Sequence, residues 1–148
     1  FSSKSSVLDF SSFLRFFSAC RSLFYSKTLL SQNLTAGDFL VLQLESGYAL
    51  LRVIAIDGIG PDRVWHVAAF DDFYLDVEHA EAGISGADLP KPSYPHIALT
   101  NRAFESTQVA KLLNRDLTDA DLEPYRNWLV DPNREVSDRS VRLMMGLR

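Results

Sequence analysis

The sequence predicts an α+β domain, mainly β: a small antiparallel meander, curled into a barrel or sandwich, with one helix before it and one late in the chain. Three observations carry this. Apolar runs of strand length recur from Phe39 onward at a spacing of about 10–12 residues. Short segments dense in Gly, Asp and Pro separate them, as tight turns require. Near the end, Thr118 opens a segment whose apolar residues recur at helical spacing.

Composition sets the bounds. The chain has 148 residues, 47% apolar and 23% charged, as in an ordinary globular domain. This excludes a disordered tail, a collagen-like fibre and a disulfide scaffold. Cys20 is the sole cysteine, so no internal bridge can form and the fold must rest on its core. The net charge of -4 argues against a nucleic-acid binder. One β-rich domain is expected over residues 34–148, preceded by an extension over residues 1–33.

That extension contains ten serines by Ser31. Phe10, Phe13, Leu14 and Phe17 recur at i, i+3, i+4 and i+7, and Cys20, Leu23 and Phe24 continue the same face, which predicts an amphipathic helix. Asp9, Arg15 and Arg21 interrupt it too often for a membrane span. Asp9 and Arg15 also suit a secretory signal badly. A transit peptide fits the serine content better, but packing on the main domain, or an upstream extension, is the preferred reading. A cytoplasmic protein without a membrane span is the expectation.

From Leu34 the pattern changes. Phe39–Leu44 reads as a strand, Glu45-Ser46-Gly47 as a hairpin loop with a glycine at positive φ, and Tyr48–Ile56 as the return strand. Asp57–Asp62 is the next turn, Arg63–Phe70 the third strand, and Phe73–Val77 a fourth short strand or an edge. Residues 78–95 read as loop. His96–Thr100 reads as another strand, and Gln108–Leu113 is read as strand over helix. The late helix has Thr118 as N-cap, with Asp121 three residues on. Asp119, Asp121 and Glu123 suit the positive end of its dipole. Leu122, Tyr125, Trp128 and Leu129 supply its apolar side, and Asp131-Pro132 ends it. Ser137 can cap a last short helix through Val141, Leu143 and Met144, though a strand fits that tail equally.

The charge is segregated. Residues 1–36 carry +3, residues 37–90 carry -8, and residues 91–148 carry +1. Chemistry-bearing motifs are weak. His79 with Asp76, Glu78 and Glu81 lacks paired-histidine spacing for a metal site. His66 reads as a half-buried structural residue on its strand. Asp71 and Asp72 follow the end of the third strand, and neighbouring side chains in extended chain point apart, so the two carboxylates converge only if the chain bends there. Gly58-Ile59-Gly60 lacks the third glycine and following helix of a dinucleotide cradle. Nothing requires a cofactor or a metal ion.

Two stretches resemble a known family. Ala36-Gly37-Asp38-Phe39-Leu40-Val41-Leu42-Gln43-Leu44, with Ser46-Gly47-Tyr48-Ala49-Leu50-Leu51-Arg52-Val53, is similar to the opening of the bacterial Immunity protein 26 family. Leu117–Leu129, with Tyr125 and Trp128, resembles that family's late acidic helix. The resemblance implies an SH3-like domain that binds and neutralises a toxin of a polymorphic-toxin system. It fixes no contact residues, and residues 1–33 depart from the family.

The expectation is therefore a non-enzymatic protein that covers the basic active site of a cognate toxin domain, such as a nuclease. The acidic residues Glu45, Asp57, Asp62, Asp71, Asp72, Asp76, Glu78 and Glu81 are the candidate contacts. Tyr48, Trp65 and Tyr74 are candidate aromatic anchors. A structural or regulatory β-barrel module of a larger assembly is the alternative. A small metal-dependent hydrolase using Asp72, Asp76 and His79 is the lesser one.

Overall fold

The computed structural model describes residues 33–146; the N-terminal helix expected over residues 1–33 lies, apart from Asn33, outside them. Five strands form one antiparallel sheet: β1 (Asp38–Gln43), β2 (Tyr48–Asp57), β3 (Val64–Tyr74), β4 (Tyr94–Thr100) and β5 (Val109–Asn114). Their order is β4-β3-β2-β1-β5, so the first four make the expected meander. The expected closure into a barrel does not occur. The sheet is open, with β4 and β5 at its edges. Hydrogen bonds from Ser137 N to Ala98 O and from Thr100 N to Ser137 O partly satisfy the β4 edge.

Four α-helices accompany the sheet among the described residues: α1 (Val77–Ser85), α2 (Asn101–Glu105), α3 (Asp119–Val130) and α4 (Val141–Met145). The helix α1 replaces the first part of the loop expected over 78–95, and β4 takes its last two residues. Asp76 caps the helix by accepting from His79 N, and Ala80 and Ile84, four apart, are its buried side. Phe73 and Tyr74 are the end of β3 rather than a separate strand. The helix α3 begins as expected, with a complete capping box between Thr118 and Asp121. Ser140, not Ser137, caps α4.

Strand β2 explains why its sequence does not alternate. Its first seven residues are all buried, so both faces of the sheet are covered at its centre. One face is a continuous apolar core of Leu40, Leu42, Leu51, Val53, Val67 and Leu99, closed by Phe104 of α2 and Val141 of α4. Trp65 stacks on Phe104 with ring centroids 4.0 Å apart and donates to Asn101 Oδ1. The opposite face buries Phe39, Leu50, Ile54 and Phe70, but also Arg52 and His66.

Gly47 is needed for space rather than for a positive φ. A Cβ there would lie 2.5 Å from both Phe73 and the Tyr74 carbonyl. The residue lets the β1–β2 turn lie against the end of β3, and its φ is not in the left-handed region.

Candidate functional site

The fold splits the predicted acidic contacts between the two ends of the sheet. Glu45 sits in the β1–β2 turn, which Gly47 brings against Phe73 and Tyr74. Asp71 and Asp72 are exposed on the end of β3. Asp76 and Glu78 follow at the start of α1, with Glu81 half-buried one turn later. Among them Phe73 is 49% exposed and Leu75 78% exposed. Exposed large apolar side chains near charged ones are features of a contact surface. Arg142, which donates to the Gln43 carbonyl, is a cation at this end.

Several predicted contacts have other duties. Tyr48 and Trp65 are each 5% exposed, so neither is an exposed anchor. Tyr74 is half-buried; a Cβ on Gly83 would lie 2.9 Å from its hydroxyl. Burial raises its pKa, with a further contribution from Asp72. Asp76 accepts from both the backbone N and the Nδ1 of His79, at 2.8 and 2.6 Å. Those bonds, the backbone one first, lower its pKa. His79 is thus engaged in the α1 cap rather than joined to Asp72. Among the described residues, no group of three His, Cys, Asp or Glu side chains is placed to hold a metal ion.

At the other end, Asp62 is exposed in the turn, and Asp57 is the hub of a polar cluster. Its Oδ2 lies 2.8 Å from His66 Nε2, and Tyr125 OH donates to both carboxylate oxygens at 3.0 and 2.9 Å. His66 Nδ1 lies 2.9 Å from His96 Nε2. A β-bulge builds this arrangement. Val53 pairs with Val67, but Ala55 pairs with His66, so one extra residue lies in β2. Strict alternation would place Asp57 on the apolar face with Val53. The extra residue reverses the phase and sets Asp57 on the face of His66. Neither the bulge nor the diagonal approach of His96 across β3 and β4 has a local sequence signal. Two histidines and a strand-end aspartate within a meander are the only hint.

Donor and acceptor roles in the cluster run one way. If His66 Nε2–H donates to Asp57, His66 Nδ1 must accept from His96 Nε2–H, which leaves His96 Nδ1 an acceptor. His66 is fully buried, rather than half-buried as its strand position suggests. Burial lowers its pKa, against the raising effect of Asp57. Burial, with the neighbouring His66, lowers His96 to about 4. Both rings are therefore neutral at pH 7. Tyr125 is pushed up to about 12 by burial and by Asp57. Trp128 packs against both rings, with centroids 4.8 and 5.8 Å away, and donates to the Glu135 carbonyl. Two nitrogens that share a proton in this way are not both free to ligate one metal ion. The hydroxyl of the cluster, Tyr125, donates to Asp57 rather than to a histidine, so the arrangement is not that of a base-activated nucleophile. What it does is tie β2, β3, β4 and α3 together.

No helix among the described residues is long and apolar enough to cross a membrane. The chain matches no protein-family model, no curated protein and no solved structure.

Proposed function

We propose that this chain is a non-enzymatic, cytoplasmic binding protein whose hairpin end docks a basic partner protein. The partner suggested by the resemblance to toxin-immunity proteins is a cognate toxin domain, for instance a nuclease, whose active site would be covered. In that reading the β1–β4 meander stands for the family's SH3-like scaffold. One observation carries the proposal: Phe73 and Leu75 are exposed within a few residues of the exposed carboxylates Asp71 and Asp72. An apolar centre supplies affinity and an acidic rim supplies orientation and association rate. Asp57 takes no part, because its carboxylate is committed to His66 and Tyr125.

The test is co-expression with the toxin domain encoded beside this gene in its native genome. Rescue of growth and a 1:1 complex are expected. The double variant Asp71→Lys/Asp72→Lys should slow association by about tenfold or more at low salt, and the difference should shrink as salt screens the field. Rescue with an unchanged association rate would place the contact elsewhere. No rescue and no complex would overturn the proposal.

A further inference from the structure

Strand β3 outruns one of its neighbours. Its ladder to β4 stops where Ala69 pairs with Tyr94, while its ladder to β2 runs on to Tyr74. Prolines explain the step. The chain ahead of Tyr94 contains Pro90 and Pro92, which have no N–H to give to a ladder. On the β4 side, among the described residues, Phe70–Tyr74 therefore have no strand partner. We propose that this open edge of β3 takes up, as an added strand, an extended segment of the partner that carries lysine or arginine.

The helix α1 does not fill the gap. Gly83 packs against the Tyr74 ring, and Arg115, just past β5, donates to the carbonyls of Ile84 and Gly86. The helix thus crosses a face of the sheet toward the β5 side, away from β4. Asp71, Asp72 and Phe73 stay exposed, and Tyr94, at the step, is 38% exposed.

An unpaired strand edge is a template for another strand, because its N–H and C=O groups point outward. Strand addition draws affinity from these main-chain groups and specificity from the side chains beside them. Here the edge selects by charge. Neither Asp71 nor Asp72 forms an ion pair among the described residues. Acidic side chains on an edge repel a strand of like charge and pair across to a basic one. Phe73 offers an apolar contact to the same incoming strand.

A bulge narrows the choice further. Between the pairs Ala49–Phe73 and Leu51–Ala69, the residues Phe70, Asp71 and Asp72 oppose Leu50 alone. The edge bends there, so main-chain bonds alone hold a neutral strand poorly. The inference rests on the basic partner proposed above and adds how that partner is held.

The experiment follows backbone amide exchange of the full chain by NMR, with a short, end-blocked peptide of alternating lysine and valine as the probe. Saturable binding is expected. Amides of the Phe70–Tyr74 segment that face the β4 side should exchange about tenfold or more slowly in the complex. The same peptide methylated on every backbone nitrogen keeps its charge and should not bind. The double variant Asp71→Asn/Asp72→Asn should bind the unmethylated peptide about threefold or more weakly at low salt. No saturation by the lysine peptide would overturn the proposal, as would binding that survives methylation or leaves those amides unprotected. The two readings fail separately. Peptide binding at the edge without a complex on co-expression removes the toxin as partner and keeps the strand addition. A toxin complex in which these amides exchange as in the free chain keeps the partner and overturns the strand addition.

Discussion

The two faces of the sheet are held by different physics. On one, Leu40, Leu51, Val67 and Leu99 pack against Phe104 and Val141 in a core without polar interruption. On the other, α3 contributes no fully buried residue. It is attached by Arg52 to Asp121 and by Tyr125 to Asp57, with Trp128 lying over the histidine pair. Apolar burial is non-directional and fills space. Hydrogen bonds fix a few atoms and leave the space between them unfilled. The second face can therefore carry both a cavity and a buried polar cluster, and the first cannot.

Truncation should separate the faces most strongly. Leu51→Ala in the apolar core is expected to cost about 2–5 kcal/mol. Ile54→Ala should cost less, since Ile54 borders the cavity and has fewer neighbours to lose on that side. Urea denaturation of the two variants measures both; equal losses would break the comparison.

Removing the brace comes next. Arg52→Met should destabilise the domain by about 1.5–3 kcal/mol, because it ends charge-assisted bonds to Asp121 and two carbonyls. Desolvation raises the Asp121 pKa, but the Thr118 bonds and Arg52 outweigh it and leave it lowered. Loss of Arg52 should move it upward, which carboxyl-detected NMR titration can follow.

The smallest effect concerns pH. His66 and His96 have folded pKa values below the ordinary 6.5, His96 at about 4. The unfolded chain thus binds more protons between about 6.5 and 4, and stability rises with pH across that window. The contribution is complete above about pH 6.5 and is lost as pH falls toward 4. Thermal melts of the chain and of His96→Asn across that range should converge at low pH. A slope that survives in His96→Asn unchanged would assign it to other groups.

Much of the strand pattern was legible because its signals are local. Phe39–Leu44 and Tyr48–Ile56 are apolar runs bounded by turn residues, and the Thr118–Asp121 capping box lies within four residues. The helix α1 is hard to read from the sequence because glycines and prolines between Gly83 and Pro95 dominate that segment, although Asp76, Ala80 and Ile84 mark its cap and inner side. The acidic bias of residues 37–90 was plain, but its division was not. It took strand pairing to send Glu45, Asp71 and Asp72 to one end and Asp57 to the other.

By itself the sequence determined the element types that depend on neighbours in the chain: the meander strands, the late capped helix and the acidic middle third. The tertiary structure decided whether the sheet closed, which face each side chain took, and which groups met. The bulge near Ile54 illustrates the reason. One inserted residue reverses the phase of everything after it, and it is defined only by the strand opposite. The contacts of Asp57 with His66 and Tyr125, of His66 with His96, and of Arg52 with the cavity all follow from such long-range pairing, which no local pattern encodes.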